Sequence, residues 1–258
     1  MFHCRSIDWF NGDIMRAVIL CGGEGTRLRP YTYTVPKPML WLGSRHILEY
    51  SVEHLRNSGI KDIILSVGYL KEQIMDHFGD GSEFGVNIDY FVEEEALFTA
   101  GAFYPHKEKL RDEKFIVFMG DHVTNINIER FIKAHEEIGG IATIAAKKKK
   151  TSLEYGIIES EDEKVIQGFR EKPVVNYLIN TGMYLFEPET LEYIKPKEDF
   201  AKHVFPRMLE AGKKLGMYKF SREYWIDIGR VKDYERMREL FSVSDLVTDL
   251  DFEKSQKE

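Results

Sequence analysis

The feature that most constrains this chain is a junction near its start. An apolar stretch, Ala17-Val-Ile-Leu-Cys21, runs straight into Gly22-Gly-Glu-Gly-Thr-Arg27, and a lysine fenced by prolines, Pro36-Lys-Pro38, follows. A short apolar run bounded by turn residues reads as a buried strand. A strand that ends in a glycine-rich turn lets backbone N–H groups converge on phosphate oxygens. Arg27 and Lys37 add fixed positive charge beside that turn. The combination points to a polyphosphate site, with a nucleoside triphosphate as its natural occupant. Two other glycine loops are excluded. The P-loop ends in Gly-Lys-Ser/Thr, whereas Gly25 is followed by Thr26-Arg27. The dinucleotide fingerprint needs a third glycine where Leu28 stands, and Pro30 discourages a helix from starting there.

Strand and helix signals alternate through the first half. His46–Asn57 places Leu48, Val52 and Leu55 on one helical face, and Gly59 stops it. Asp62–Val67, Asn87–Val92, Phe115–Met119 and Ile141–Ala146 read as strands, with helices over Lys71–Phe78 and Ile128–Glu137. Such alternation predicts parallel βαβ units, hence an α/β fold: a Rossmann-like mixed, mainly parallel sheet flanked by helices. Ligands bind such sheets beyond the carboxyl ends of the strands, where Gly22–Arg27 and Gly120-Asp121 both fall. The second half changes character. Gly156–Glu159 and Val165–Phe169 read as a hairpin, Ile179–Phe186 as a strand, and Ala201–Ala211 and Lys232–Phe241 as helices. This region is expected to be a smaller lobe folded onto the first.

The formal net charge of −7 argues against a nucleic-acid binder, which should be basic. The run Lys147–Lys150 reads as a solvated strand end and loop. Two cysteines, Cys4 and Cys21, exclude a disulfide framework, and Cys21 reads as a small buried hydrophobe. No run reaches the ~18 apolar residues of a membrane span. Residues 1–14 lack the apolar core of a secretory signal, so a cytoplasmic location is expected. They read as a poorly ordered extension, with the main domain over 15–241 and a charged tail over 242–258.

Gly22-Gly-Glu-Gly-Thr-Arg-Leu28 with Pro36-Lys-Pro-Met39 resembles the signature of the sugar-1-phosphate nucleotidyltransferases, also called nucleotide-sugar pyrophosphorylases. Glu93-Glu-Glu-Ala-Leu-Phe-Thr-Ala-Gly-Ala102 is similar to that family's E-E-E-P-L-G-T-A-G-A, and Gly168-Phe-Arg-Glu-Lys-Pro173 to its F-x-E-K-P. Asn180-Thr-Gly-Met-Tyr-Leu-Phe186 and Tyr224-Trp-Ile-Asp-Ile-Gly229 match two later blocks, in the family's order. The resemblance implies transfer of a nucleoside monophosphate from a nucleoside triphosphate to a sugar 1-phosphate, with Mg²⁺ and release of pyrophosphate. It leans towards mannose-1-phosphate guanylyltransferase, with glucose-1-phosphate thymidylyl- or uridylyltransferase as the alternative. A non-catalytic nucleotide or nucleotide-sugar sensor that kept the fold is the alternative of another class. The smaller lobe would bind the sugar. Some relatives carry a C-terminal β-helix, which is not expected here, and relatives often form dimers or tetramers, so a homo-oligomer is among the expected states.

Both reactants are anions, so catalysis must be mainly positioning and electrostatic stabilisation. No general base is needed, and the histidines, His106 and His122 included, read as surface or supporting residues. By resemblance, Arg27 would hold the leaving phosphates, Lys37 the α-phosphate, and Asp121 and Asp227 the metal, in keeping with the oxygen preference of Mg²⁺. Leu20, Gly22, Gly23, Gly25, Thr26, Glu95 and Gly120 would contact the nucleotide. Gly156, Glu171, Lys172 and Asn180 would contact the sugar phosphate, Lys172 as a catalytic cation. One departure concerns the base: Phe98 stands where the family has glycine. Its ring could stack on the base, narrow the pocket or shift the loop.

Overall fold

The computed structural model describes residues 15–242; the extension over 1–14 and all but the first residue of the 242–258 tail lie outside the described residues. A seven-stranded sheet organises the chain. Its strands are β1 (Arg16–Leu20), β2 (Asp62–Val67), β3 (Asn87–Val92), β4 (Phe115–Met119), β5 (Ala142–Ser152), β6 (Val174–Phe186) and β7 (Leu215–Phe220). They run in the order β7-β5-β6-β4-β1-β2-β3. β1 is parallel to β2 and β4, β2 to β3, and β5 to β7. Only β6 runs against its neighbours, β4 and β5. The sheet is therefore mixed and mainly parallel, and β6, from the second half, is inserted beside a strand of the first.

β1 is apolar after Arg16 because both of its faces are covered. Side chains alternate across a strand. Ala17 and Ile19 join the core on one face with Leu48, Val52 and Leu55 of α1 (Ile47–Asn57) and Ile74 of α2 (Lys71–Phe78). Val18 points the other way, into a cluster with Phe103, Phe115, Phe200 and Met208. A third cluster joins Leu28, Leu40, Leu42, Val123, Ile228 and Tyr234. Tyr234 belongs to a helix over residues 231–242, and its hydroxyl donates to the Trp41 carbonyl at 2.9 Å. This cluster anchors the segment that follows the glycine turn.

The structure departs from the sequence reading where pairing overrides local pattern. β5 does not stop at Ala146. It continues through the lysines to Ser152 because Lys147–Ser152 pair residue by residue with Ile179–Val174 of an equally lengthened β6. The lysine run is thus a strand, with Lys148, Lys149 and Lys150 exposed, rather than a strand end and loop. The hairpin is Ile157–Glu159 with Gly168–Arg170, shorter than the sequence suggests. The stretch expected as one helix over Ala201–Ala211 is a wide π turn, Phe200–Val204, followed by a short α-helix, Phe205–Glu210. Pro206 supplies no N–H to the preceding turn, which breaks the regular ladder.

Candidate active site

At the carboxyl end of β1 the chain enters a cleft of about 510 Å³. Leu20, Gly22, Gly23, Gly25, Thr26, Arg27, Lys37 and Asp121 all line it. Two of the glycines pack tightly against their surroundings. A β-carbon on Gly22 would sit 2.5 Å from Glu93 Oε1. Gly25 has a φ of 61° and packs so close that a β-carbon would lie 3.1 Å from Lys37 Cβ, a conformation and contact suited to glycine. The Thr32 hydroxyl donates to the Gly25 carbonyl at 2.9 Å, and fully buried Leu28 anchors the turn from below. Arg27, exposed on a single 3₁₀ turn, makes no ion pair among the described residues.

Lys37 sits on a second such turn, Lys37–Met39, held between Pro36 and Pro38. It is only 8% exposed, and its ammonium pairs with Asp121 Oδ2. Asp121 follows β4, and the chain then forms a short strand, His122–Thr124, antiparallel to Trp225–Asp227. That ladder sets His122 opposite Asp227, and the Ile228 amide donates to the Asp121 carbonyl at 3.3 Å. The two aspartates, remote in sequence, therefore meet around His122. Its Nε2 lies 3.4 Å from Asp121 Oδ1 and 3.6 Å from Asp227 Oδ1. The neighbouring His122 imidazole is the main reason the Asp227 carboxyl is held below its ordinary value; burial opposes this, and the charges of Lys37 and Arg27 reinforce it. Cys21 also lines the cleft. Burial, then the charges of Asp121 and Glu93, push its thiol well above its ordinary value, so it is an inert neighbour rather than a nucleophile.

The other expected site residues divide. Gly120 packs beneath the cleft: a β-carbon there would meet Cys21 Sγ at 2.6 Å, and its amide donates to the Leu20 carbonyl at 2.9 Å. Glu95 lies outside the lining of the cleft, with its carboxylate 2.7 Å from Lys197 Nζ. Glu93 is the acid of the triplet that lines the cleft. It accepts from Ser66 Oγ at 2.8 Å and from the Leu97 amide at 3.3 Å, and burial raises its pKa despite those bonds. Strand alternation carries the signal: the Glu93 amide continues the β3 ladder by donating to the Val67 carbonyl, on the side of buried Phe91. Beyond β5, Gly156 lies under Glu171, where a β-carbon would meet the carboxylate at 2.9 Å. Lys172, with a φ of 41°, is exposed beside Glu171. Asn180 caps a bulge in β6 by accepting from the Gly182 amide at 2.9 Å, and Gly182 packs against Met119 and His122. These four sugar-side residues lie outside the lining of the cleft. Of the two places the sequence leaves open for His122, surface or support, the structure gives the second. It is buried between the aspartates, and the register that puts it there is invisible from local sequence.

Cations and carboxylates facing each other across a glycine-walled cleft, at the carboxyl ends of parallel strands, mark a class of protein that handles nucleotide phosphates. The chain belongs to the Nucleotidyl transferase family, whose model matches residues 16–242. It is 37% identical over 240 residues to a UTP–glucose-1-phosphate uridylyltransferase of Synechocystis, covering 85% of this chain and 61% of that protein. It is 35% identical over 229 residues to the mannose-1-phosphate guanyltransferase of Saccharomyces cerevisiae, covering 85% and 63%. The chain thus spans less than two thirds of the length of these curated relatives. Among solved structures, HddC from Yersinia pseudotuberculosis complexed with GMP-PN superposes with a TM-score of 0.70 at 26% identity, covering 88% of this chain and 99% of that one.

Proposed function

We propose that this protein joins a nucleoside triphosphate to a sugar 1-phosphate. A phosphate oxygen of the sugar 1-phosphate forms a bond to the α-phosphorus, the bond from that phosphorus to the β-phosphate oxygen breaks, and pyrophosphate leaves with the electron pair. The observation that carries this reading is the cluster of Lys37, Asp121, His122 and Asp227 at the end of the glycine turn. Lys37 is preorganised by burial and can stabilise charge developing at the α-phosphate. Arg27 is free to take the leaving phosphates with its planar fork. The paired carboxylates of Asp121 and Asp227 suit a hard cation that prefers oxygen, so these two residues would hold Mg²⁺, which would neutralise phosphoryl oxygens. His122, a nitrogen donor, fits better as the group that orients both carboxylates. Exposed Lys172 and Glu171 are the residues we assign to the sugar phosphate and sugar hydroxyls, with Gly156 and Asn180 as further sugar contacts.

For the base we favour guanine. Glu93 is acceptor-only when ionised, and its two oxygens have lone pairs beyond those used by Ser66 and Leu97. Guanine offers adjacent N–H donors that a carboxylate can accept together, whereas uracil and thymine offer one donor between two acceptors. The mannose-1-phosphate guanyltransferase likeness supports the same reading, while the uridylyltransferase likeness keeps UTP and glucose 1-phosphate as the competitor. Pyrophosphate release over a matrix of nucleoside triphosphates and sugar 1-phosphates with Mg²⁺ tests both levels. GTP with mannose 1-phosphate is the expected best pair. A UTP pair as the best would overturn the base assignment, and silence from folded protein would overturn the reaction.

A further inference from the structure

We infer that the Phe98 ring forms one face of the nucleobase pocket and makes this chain prefer a purine. The inference rests on the reading that the cleft holds a nucleotide. Phe98 lines that cleft beside Glu93, Ala96 and Thr99, and it has a φ of 62°. That left-handed conformation is unfavourable for a residue with a β-carbon and is rarely adopted by bulky side chains. The backbone imposes it from both sides. The Leu97 amide is tied to Glu93 Oε2 at 3.3 Å. The Ala100 and Gly101 amides both donate to the Glu198 carbonyl, at 2.8 and 2.9 Å. Gly101 lies so close to the Lys197 backbone that a β-carbon would be 2.6 Å from its nitrogen. A glycine at position 98 would satisfy these ties with less strain.

Packing does not offset that strain. Phe98 is 56% exposed, and among the described residues it has no aromatic partner. A strained residue whose ring does little for the core, placed on the wall of a functional cleft, is the pattern expected when the ring's partner is a ligand. Every nucleobase presents a π-face on which an aromatic side chain can stack, and a two-ring purine covers more of that ring than a pyrimidine. Glu93 and Phe98 then have complementary roles, the carboxylate reading the hydrogen-bonding edge of the base and the ring covering its face.

Three variants separate this role from a structural one. Phe98→Gly removes the ring and the strain, Phe98→Leu removes the ring and keeps the strain, and Phe98→Tyr keeps both. Nucleotide affinity, steady-state kinetics with GTP and UTP, and thermal unfolding are measured on each. Phe98→Gly should melt higher than wild type yet bind GTP more weakly, by roughly 5- to 150-fold as loss of one stacked base predicts. Phe98→Leu should show the same loss of GTP affinity without the gain in melting temperature, and Phe98→Tyr should behave as wild type. The change should fall on KM rather than kcat, with the GTP-to-UTP ratio falling in both ring-less variants. Unchanged or tighter GTP binding in Phe98→Gly and Phe98→Leu would overturn the proposal, as would lower melting of both with unaltered affinity. Wild-type protein that binds no nucleoside triphosphate would instead overturn the reading of the cleft itself, and this proposal with it.

Discussion

Replacing Lys37 separates its chemical role from its structural one. Lys37 is buried against Gly25, and its ammonium pairs with an Asp121 side chain that is 26% exposed. Removing one partner of a fully buried pair costs about 3–5 kcal/mol. Here the cost should be smaller, about 1–3 kcal/mol, because a quarter of Asp121 reaches solvent and His122 Nε2 remains 3.4 Å away. For a domain of this size that is a fall of about 2–12 °C in melting temperature. The chemical loss should be larger. Removing one preorganised donor from the position where phosphoryl charge develops costs about 2–4 kcal/mol in the barrier, or roughly 30- to 900-fold in rate. Lys37→Met is the cleaner variant, because it keeps most of the stem that packs on Gly25 and loses only the charge. Pyrophosphate release at saturating substrates and circular-dichroism melts on the same preparations give both numbers. The variant also frees Asp121 from its cation, so Mg²⁺ should raise its melting temperature more than that of the wild type. A folded Lys37→Met protein that retains a third or more of wild-type turnover would refute the electrostatic role.

Three further outcomes are expected. Gly22→Ala would bring a methyl to 2.5 Å from Glu93 Oε1, and a side-chain carboxylate can yield; the melting temperature should stay within a few degrees while the preference for GTP over UTP falls about tenfold. Gly101→Ala meets the Lys197 backbone instead, which cannot yield, and should destabilise by about 1–3 kcal/mol in a urea titration. Stability should also fall on the acid side of neutrality. Burial lowers the pKa of His54 and His135 from 6.5, so the unfolded chain takes up protons first, and stability that is full above pH 6.5 is lost as pH falls through the unfolded value. For His135 this holds although Glu187 at 3.1 Å opposes it, with Thr143 on the other ring nitrogen and Lys114 and Glu136 nearby. A melting temperature that stays flat between about pH 7 and 5.5 would contradict this linkage.

The parts of the fold legible in the sequence are those set by local pattern. β2 and β4 begin and end where their apolar runs meet glycine or charged residues, and α2 and β3 stop at Gly79 and Glu93. β5 and β6 run longer than local pattern implies, because a run of four lysines carries no alternation; only the partner strand, supplying Leu178 and its neighbours across the ladder, extends them. The same division holds in the site. The glycine turn, Arg27, Lys37 and Asp121 lie at the ends of strands and short turns whose signals are local. The position of His122 has no local signal, because it depends on register with Trp225–Asp227, a pairing made only in the tertiary structure.

This division explains why the reaction class is easier to read than the substrate. The charged groups are locked by ladders: β1 between β2 and β4, and His122 opposite Asp227. A sequence that builds those ladders necessarily brings Lys37, Asp121 and Asp227 together, whatever base is used. The loop from Glu93 to Gly101 has no ladder beyond its first residue. It is held by a few single contacts, from Leu97 to Glu93, from Ala100 and Gly101 to Glu198, and from Thr99 to Asp199. One residue there can change from glycine to phenylalanine without disturbing the sheet, at the cost of local strain. On the function proposed above, selectivity would be retunable in that loop while the charged cluster stays in place. A chain of this fold is expected to announce its chemistry at its strand ends, and its choice of nucleotide in the loop that carries Glu93 and Phe98.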